Sequence, residues 1–238
     1  MSFKKIAKIV VGVVVFFTLP SLLFFAFVYF KYNEELPNGV QGAEADALAT
    51  KMLQSLDYQA YKETDSIEFT FKNRHHFKWH KSGNTSEVYW KNYRVSLNFD
   101  DTSKHRAFEN EQEVTSESKE KLIQKAIALF NNDTFWVVAP YKVFDVGTER
   151  RLVNNSDGSQ SLLVTYTSGG STPGDSYLWH FDSHGKPKSF QMWVDILPIG
   201  GLEATWSDWV TTDSGAQLPS FHKLMILGLD ISNIKTSK

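Results

Sequence analysis

Three histidines, His75, His76 and His80, lie within one short segment, and imidazole is a common metal ligand. The apolar residues between them alternate with polar ones, which is the period of a β-strand. In a strand, His75 and His76 point to opposite faces, and His76 and His80 share a face about 13 Å apart. A zinc ion has bonds of about 2.1 Å to nitrogen and cannot bind both of the latter. We therefore expect structural roles for these histidines and predict no metal site.

A serine hydrolase needs a nucleophile, a base and an orienting acid brought together in space. Ser168, Ser171, Asp175, Ser176 and His180 are close in sequence and include each of these types. The chain has no Gly-x-Ser-x-Gly nucleophile elbow, and the residues concerned are common ones. A hydrolase is therefore the third of three hypotheses, and we predict no catalytic residue, no cofactor and no enzymatic activity.

Two other polar motifs have ordinary explanations. The loop Gly169–Asp175 lacks the Gly-Lys-Ser/Thr ending of a phosphate-binding loop. Its proline and glycines are typical of a turn, although a loop at the rim of a ligand site has the same composition. Glu109 and Glu111 lie in a polar stretch and are expected to be solvated, whereas a catalytic acid usually sits in a burying environment.

Large aromatic side chains in strand-like segments are the strongest candidates for a binding function. With one methionine they are Phe69, Phe71, Trp79, Trp90, Trp136, Tyr166, Tyr177, Trp179, Phe190 and Met192. Such rings either fill a closed core or line an apolar pocket, because they hold a concave sheet apart and offer broad contact area. We take them as the candidate site for a lipid or other hydrophobic ligand. The alternative is a non-enzymatic protein-interaction or scaffold module of the cell envelope with a filled core.

Two features near the C-terminal part of the chain bear on this site. The apolar stretch Pro198–Leu202 is expected to be either a tight buried turn or a flexible lip of the cavity. Trp206 and Trp209 follow at a spacing of three, which in a strand places them on opposite faces. One of the two indoles is therefore expected to be exposed.

Period-two alternation recurs along the chain and predicts about ten short antiparallel strands. They are Ser66–Lys72, His75–Lys81, Ser86–Asn92, Tyr93–Phe99, Thr134–Val138, Gln160–Thr167, Ser176–Phe181, Lys188–Asp195, Leu202–Val210 and His222–Ile231. Helical periodicity predicts two helices, Glu44–Leu56 and Ser116–Asn131, with Asp100–Thr115 as a loop between strands and helix. This pattern indicates an α+β fold, mainly antiparallel, with helices set to one side of a barrel-like sheet.

A continuous uncharged apolar run, Ile9–Phe30, precedes these elements. As a helix it is about 33 Å long, enough to cross a bilayer core of about 30 Å. Lys4, Lys5 and Lys8 lie before it with no acidic residue, so the positive-inside rule places the N-terminus in the cytoplasm. The competing interpretation is a secretory signal cleaved before Asp46, although signal cores are usually shorter, about 7–15 residues.

These features predict a domain organisation and a location. Residues 1–8 form a cytoplasmic N-terminus, 9–30 a transmembrane signal anchor, 31–43 a linker, and 44–238 an extracytoplasmic β domain. We expect the protein in the cytoplasmic membrane, with its main domain periplasmic or otherwise extracytoplasmic.

Composition excludes several classes of function. The chain has a formal net charge of −2, and residues 1–31 contain four lysines and no acid, which leaves −6 for the remainder. A mildly acidic domain lacks the clustered cations that nucleic acids require, so no nucleic-acid partner is predicted. With no cysteine, the chain has no disulfide, thiol nucleophile or lipid-modified cysteine.

The predicted elements follow a defined order: an apolar segment, an amphipathic helix, four short aromatic strands, a second helix, the segment Asn131–Tyr141 (NNDTFWVVAPY) and further strands. Over roughly residues 44–235 it resembles the bacterial lipoprotein-carrier superfamily typified by LolA and LolB. The resemblance implies a curved half-barrel wrapped over helices, with an apolar cavity that binds acyl chains outside the cytoplasmic membrane. The carrier itself is soluble, whereas this chain is expected to be held by a helix, so a fixed binding protein is expected rather than a shuttle.

Overall fold

The computed structural model describes residues 3–169 and 172–238. An apolar helix, α1 (Phe3–Tyr32), is followed by α2 (Ala43–Ser55), α3 (Tyr58–Glu63) and, after six strands, α4 (Ser118–Val138). The strands are β1 Ser66–Phe71, β2 His75–His80, β3 Thr85–Trp90, β4 Tyr93–Asn98, β5 Arg106–Glu109, β6 Gln112–Glu113, β7 Thr148–Asn154, β8 Gln160–Tyr166, β9 Ser176–Phe181, β10 Pro187–Trp193, β11 Leu202–Thr205, β12 Ser207–Thr211, β13 Gln217–Leu224 and β14 Leu227–Ser237. Two 3-10 turns lie at Thr102–Lys104 and Ala139–Lys142.

The fourteen strands found in the described residues all belong to one antiparallel sheet. The order is β6-β5-β4-β3-β2-β1-β14-β13-β11-β10-β9-β8-β7, and β12 pairs with β13 beside β11. Within the part of the chain that the structure describes, the outer strands β6 and β7 do not pair with each other, so the sheet is open. The predicted fold class, a mainly antiparallel α+β sheet with helices beside it and an apolar helix before it, is confirmed.

The segment Thr134–Val138, predicted as a strand, is the last part of α4. Its β-branched and aromatic residues favour a strand locally, but burial follows the helical period: Phe130, Thr134, Val137 and Val138 are buried together. Tertiary packing on the sheet therefore overrides local propensity. Trp136 is a helix residue as a result.

Other element predictions also needed correction. The predicted loop at Asp100–Thr115 contains the β5–β6 hairpin. Strand β7 is not among the predicted strands, because its charged sequence has no clear alternation. His222–Ile231, predicted as one strand, turns between β13 and β14, where Met225 has a φ of +53°. Leu202–Val210 is broken at Trp206 into β11 and β12, and Asp208 there has a φ of +53°.

The core lies between the inner face of the sheet and helices α2 and α4. In β1, Ile67, Phe69 and Phe71 alternate with more exposed residues, as predicted from the sequence. Helix α2 contributes a fully buried stripe that includes Ala49 and Met52. These residues belong to one continuous hydrophobic cluster that runs the length of the sheet.

The segment after α1 lies against the other face of the sheet. The amide of Glu34 donates to the carbonyl of Gly200 (3.0 Å), and Val40 forms an antiparallel bridge with Leu152. A Cβ on Gly39 would lie 2.7 Å from Cβ of Arg151, so only glycine permits this approach. The linker therefore contacts the β10–β11 connection and pairs with the outer edge of β7 at Val40.

Helix α1 is the one helix among the described residues that is long and apolar enough to cross a membrane. Nearly all of its side chains are exposed, and only Val28, near its C-terminal end, is buried. A membrane anchor and a signal sequence share these features, and Pro20 lies within the helix without ending it.

Candidate functional site

Five aromatic side chains form a compact group on the inner side of β8, β9 and β10 and at the break that follows β11. We call it the aromatic cluster, and its members are Tyr166, Tyr177, Trp179, Phe190 and Trp206. The ring centroids of Trp179 lie 5.1 Å from Phe190 and 4.9 Å from Trp206. Tyr177 lies 5.1 Å from Phe190 and 5.8 Å from Tyr166. Most of these contacts are edge-on, the arrangement that aromatic quadrupoles favour.

The C-terminal half of α4 covers this cluster. Phe135 lies 4.6 Å from the ring of Tyr177, and Trp136 lies 5.5 Å from Phe190. Both covering rings are only half-buried, whereas Trp179 and Phe190 beneath them are fully buried. The helix therefore separates the cluster from solvent.

The ten residues predicted from the sequence fall into two groups. One group lies at the C-terminal half of α4. Trp136 belongs to the helix itself, and the residues on the strands beneath it are Tyr166, Tyr177, Trp179, Phe190 and Met192. Phe69, Phe71, Trp79 and Trp90 lie on β1–β3, where Phe69 stacks on Phe77 at 4.8 Å and Trp79 meets Phe130 of α4 at 5.5 Å. The sequence identified members of both groups but not their separation.

Trp206, a member of the cluster, and Phe135, which covers it, were not among the predicted site residues. The break between β11 and β12 turns Trp206 and Trp209 to the same side, with ring centroids 6.0 Å apart, so the prediction of opposite faces is wrong. Trp206 is 1% exposed and Trp209 is half-buried. The strained residue Asp208 between them is the only local signal, and it cannot be read from a strand pattern.

Three hydrogen-bond donors in the cluster are buried without partners. The indole Nε1 atoms of Trp179 and Trp206 and the hydroxyl of Tyr166 find no acceptor among the described residues. Buried polar groups are almost always paired, and leaving one unpaired costs about 1–3 kcal/mol. Burial raises the pKa of Tyr166, so its hydroxyl keeps its proton at neutral pH. The cluster thus combines apolar surface with three free donors.

Two histidines, His222 on β13 and His75 on β2, connect α4 to the sheet by polar contacts. On β13, His222 is fully buried, with Nε2 2.7 Å from the carbonyl oxygen of Trp136 and Nδ1 2.8 Å from that of Thr205. A neutral imidazole has one N–H and donates to only one of them. Burial lowers the pKa of His222, outweighing the two carbonyl contacts, so the neutral ring is favoured.

On the other side, Nδ1 of His75 lies 2.7 Å from Oδ2 of Asp133 in α4. Asp133 is 2% exposed and also accepts from the side chain of Asn132 at 2.8 Å. Burial raises the pKa of Asp133, although both hydrogen bonds act in the opposite direction. These contacts fix the position of α4 above the aromatic core.

The histidine segment forms strand β2, as predicted, and its neighbouring histidines point to opposite faces. His76 faces Glu68, with Nε2 3.3 Å from Oε1, while His75 meets α4. Among the described residues, no group of three or more His, Asp or Glu side chains is arranged to hold a metal ion.

The hydrolase candidates that the structure describes, which are Ser168, Asp175, Ser176 and His180, do not form a triad. Nδ1 of His180 lies 2.9 Å from Oγ of Ser161, and its Nε2 lies 3.3 Å from Gln191. Asp175 instead accepts from the amide of Asp195 at 3.2 Å. Ser171 and part of the glycine loop lie outside the described residues.

The carboxylates Glu109 and Glu111 flank the turn of the β5–β6 hairpin. Both are exposed. Glu111 accepts from Arg94 at 3.0 Å and Glu109 from the side chain of Asn92 at 3.2 Å. These are surface ion pairs and hydrogen bonds, which agrees with their expected solvation.

Depressions open on the surface of the described part of the β domain, and two of them lie away from the aromatic cluster. One, of about 570 Å³, lies between the 3-10 turn at Thr102–Lys104 and the first turns of α4, with His105 in its wall. The other, of about 330 Å³, lies beside β12, β13 and β14. Neither is lined by the aromatic cluster, whose rings are in mutual contact.

No protein-family model matches the chain, and no curated protein matches it. Among solved structures, a DUF1329 family protein from Desulfovibrio piger is similar at a TM-score of 0.42 and 13% identity. The alignment covers 81% of this chain and 93% of that one.

Proposed function

We propose that this is a membrane-anchored protein of the lipoprotein-carrier type that binds a lipid or another hydrophobic molecule in the aromatic cluster, outside the cytoplasm and without catalysis. The observation that carries the proposal is the set of three donors in the cluster that have no partner within residues 3–169 and 172–238. An acyl chain would be surrounded by the rings, and the oxygen atoms of its ester or carboxyl group would accept from the donors. Such a ligand would remove the penalty that the buried donors impose.

The helix α4 supplies the cover of the proposed site. Because the rings are in contact, a ligand enters only if Phe135 and Trp136 move away from the sheet. The polar contacts at Asp133 and His222 give α4 a defined closed position to which it returns. Helix α1 supplies the anchor, with the N-terminus inside.

The close ring contacts favour a second candidate, a protein-interaction or scaffold module with a filled core. In that case the cluster serves stability alone and no small molecule enters. The two candidates differ in whether a hydrophobic molecule binds stoichiometrically beneath α4.

Native mass spectrometry of the full chain, released from membranes into a polymer nanodisc without detergent, tests the proposal. We expect one retained lipid or other hydrophobic molecule per chain after the annular lipid is stripped by collisional activation. Trp206→Phe should weaken its retention, while the matched control Trp209→Phe should not, because the indole of Trp209 already donates to Pro187 at 3.3 Å. Equal loss from both variants, or no retained molecule in the unmodified chain, would favour the filled-core module.

A further inference from the structure

The end of α1 is hydrogen-bonded directly to one connection of the sheet. The side-chain oxygen of Asn33 accepts from the amide of Gly200 at 2.9 Å. The carbonyl of Glu34 accepts from the indole of Trp193 at 2.8 Å. A Cβ on Gly200 would lie 2.5 Å from the Trp193 ring and 2.8 Å from the Glu34 carbonyl, so the contact requires glycine. The β10–β11 connection therefore sits at the level where α1 ends.

Strand register shows which other connections share this level. Leu202 pairs with Met192, and Ala204 pairs with Leu224, so the turn between β13 and β14 reaches the level of Leu202. At about 3.3 Å per residue, that turn is within about 7 Å of the level of Gly200. The turn before β7 lies at the same end of the sheet, because Thr148 pairs with Tyr166 at the end of β8.

These three connections share exposed aliphatic tips. Ile196 is 71% exposed in the β10–β11 connection, Ile226 is 92% exposed between β13 and β14, and Val146 is 97% exposed before β7. Leu227 and Phe144 add further exposed apolar surface beside two of them. Large aliphatic side chains at three separate tips on one edge are unlike scattered surface residues and indicate an interaction surface.

We infer that this edge of the sheet, carrying Val146, Ile196 and Ile226, rests in the interfacial layer of the same bilayer that α1 crosses. The inference depends on the proposed anchoring. The covalent connection to α1 identifies the bilayer as the partner of this edge. The tips lie at the level of the residue that follows Tyr32, where the apolar helix leaves the hydrocarbon. A protein partner on this edge would have to share that layer with lipid.

The contact orients the proposed binding site. Strands β8, β9, β10 and β11 all have one end on this edge, and the aromatic cluster lies on their inner face. With the edge on the bilayer, an acyl chain moves between membrane and cluster without crossing water. The hydrogen bonds of Asn33 and Glu34 hold one point of this edge next to α1, and contact of the three tips with the bilayer would fix the orientation of the edge.

Single-cysteine labelling of the full chain tests the inference, because the protein has no cysteine of its own. Ile196→Cys and Ile226→Cys place an environment-sensitive NBD fluorophore on the edge. Ser183→Cys, in the exposed turn between β9 and β10 at the opposite end, is the control for water. Phe17→Cys, in the middle of α1, is the control for the bilayer. All four are reconstituted in liposomes that contain nitroxide-labelled lipid.

We expect blue-shifted emission and nitroxide quenching at positions 196 and 226, as at 17, and red-shifted, unquenched emission at 183. Emission at 196 and 226 that matches 183, while 17 is quenched, overturns the inference and leaves the anchor standing. Protection of 196 and 226 from both nitroxide lipid and aqueous iodide would place a protein on this edge and also overturns it. An unquenched label at 17 rejects the proposed anchoring itself, and this inference with it.

Discussion

Replacing Trp206 by phenylalanine should change the stability of the β domain little, although the side chain is fully buried. The change removes about 40 Å³ of side chain, and the lost transfer free energy together with the residual cavity costs about 1–2 kcal/mol. It also removes a buried indole N–H that has no partner among the described residues, and the desolvation penalty of that group is about 1–3 kcal/mol. The net effect on the free energy of unfolding lies between a loss of about 1 kcal/mol and a gain of about 2 kcal/mol.

Trp209→Phe is the matched comparison. It removes the same atoms, but its N–H donates to the carbonyl of Pro187, and the ammonium of Lys186 lies 5.1 Å from its ring. Loss of a satisfied hydrogen bond, worth about 0.5–1.5 kcal/mol, adds to the packing loss. Because Trp209 is only half-buried, its packing loss is about half that of Trp206, and we expect this variant to be destabilised by about 1–2.5 kcal/mol in total.

Urea unfolding of the lipid-stripped full chain in detergent micelles, followed by circular dichroism, measures both variants with α1 in place. Trp206→Phe should have the higher midpoint at an unchanged m-value. If Trp206→Phe is instead less stable than Trp209→Phe, the indole of Trp206 has a partner and the reasoning about free donors is refuted. Binding separates the same pair, since loss of one ligand hydrogen bond should weaken affinity by about 2–10-fold.

Three further predictions concern α2 and the contacts that hold α4. Asp133→Asn should change the free energy of unfolding at pH 7 by less than about 1 kcal/mol, because the amide oxygen still accepts from His75 and no buried charge remains. Asp133→Ala removes the acceptor and should cost about 1–3 kcal/mol. Urea titration measures both variants. The burial-lowered pKa of His222 means that the folded state favours the neutral ring, so its contribution is present above the unfolded pKa near 6.5 and is lost as pH falls. His222→Gln should therefore show a smaller loss of stability between pH 7 and pH 5 than the unmodified chain, and an identical pH profile would contradict this assignment. Met52→Ala on α2, where the side chain is fully buried, should cost about 2–5 kcal/mol in thermal or urea unfolding, and a smaller loss would mean that α2 is loosely packed.

Much of the fold could be predicted where local pattern and tertiary environment agree. Strands β1 to β4 alternate cleanly and are joined by short polar turns, so their bounds follow from the sequence within one or two residues. Helix α2 was equally clear from its apolar stripe. These elements have one buried and one wet face, which is the condition under which periodicity is informative.

The failures share a physical cause. The end of α4 carries β-branched and aromatic residues whose helical state depends on packing against β8–β10. Strand β7 is the last strand of the sheet and is rich in charge. Its sequence therefore shows no alternation of apolar and polar residues from which a strand could be predicted. At Trp206 the chain breaks strand register, which brings two indoles to one side. No local pattern encodes that geometry.

The candidate site was only partly predictable for a similar reason. Nine of the ten candidate residues, eight aromatic ones and Met192, lie in strands as the sequence predicted. Their division into two groups, the cover formed by Phe135 and Trp136, and the unpartnered donors all depend on long-range contacts. Whether a donor is paired is a property of its tertiary surroundings and cannot be read from residue type.

Photo-crosslinking of a diazirine-labelled palmitic acid to the full chain in native membranes tests the central claim most directly. Peptide mapping separates adducts on α1, which any membrane anchor forms, from adducts on β8, β9 and β10. We predict adducts on Tyr166, Tyr177, Trp179 or Phe190 that disappear with excess unlabelled palmitic acid, while those on α1 persist. Adducts confined to α1, with none on the aromatic cluster at any probe concentration, would contradict the account.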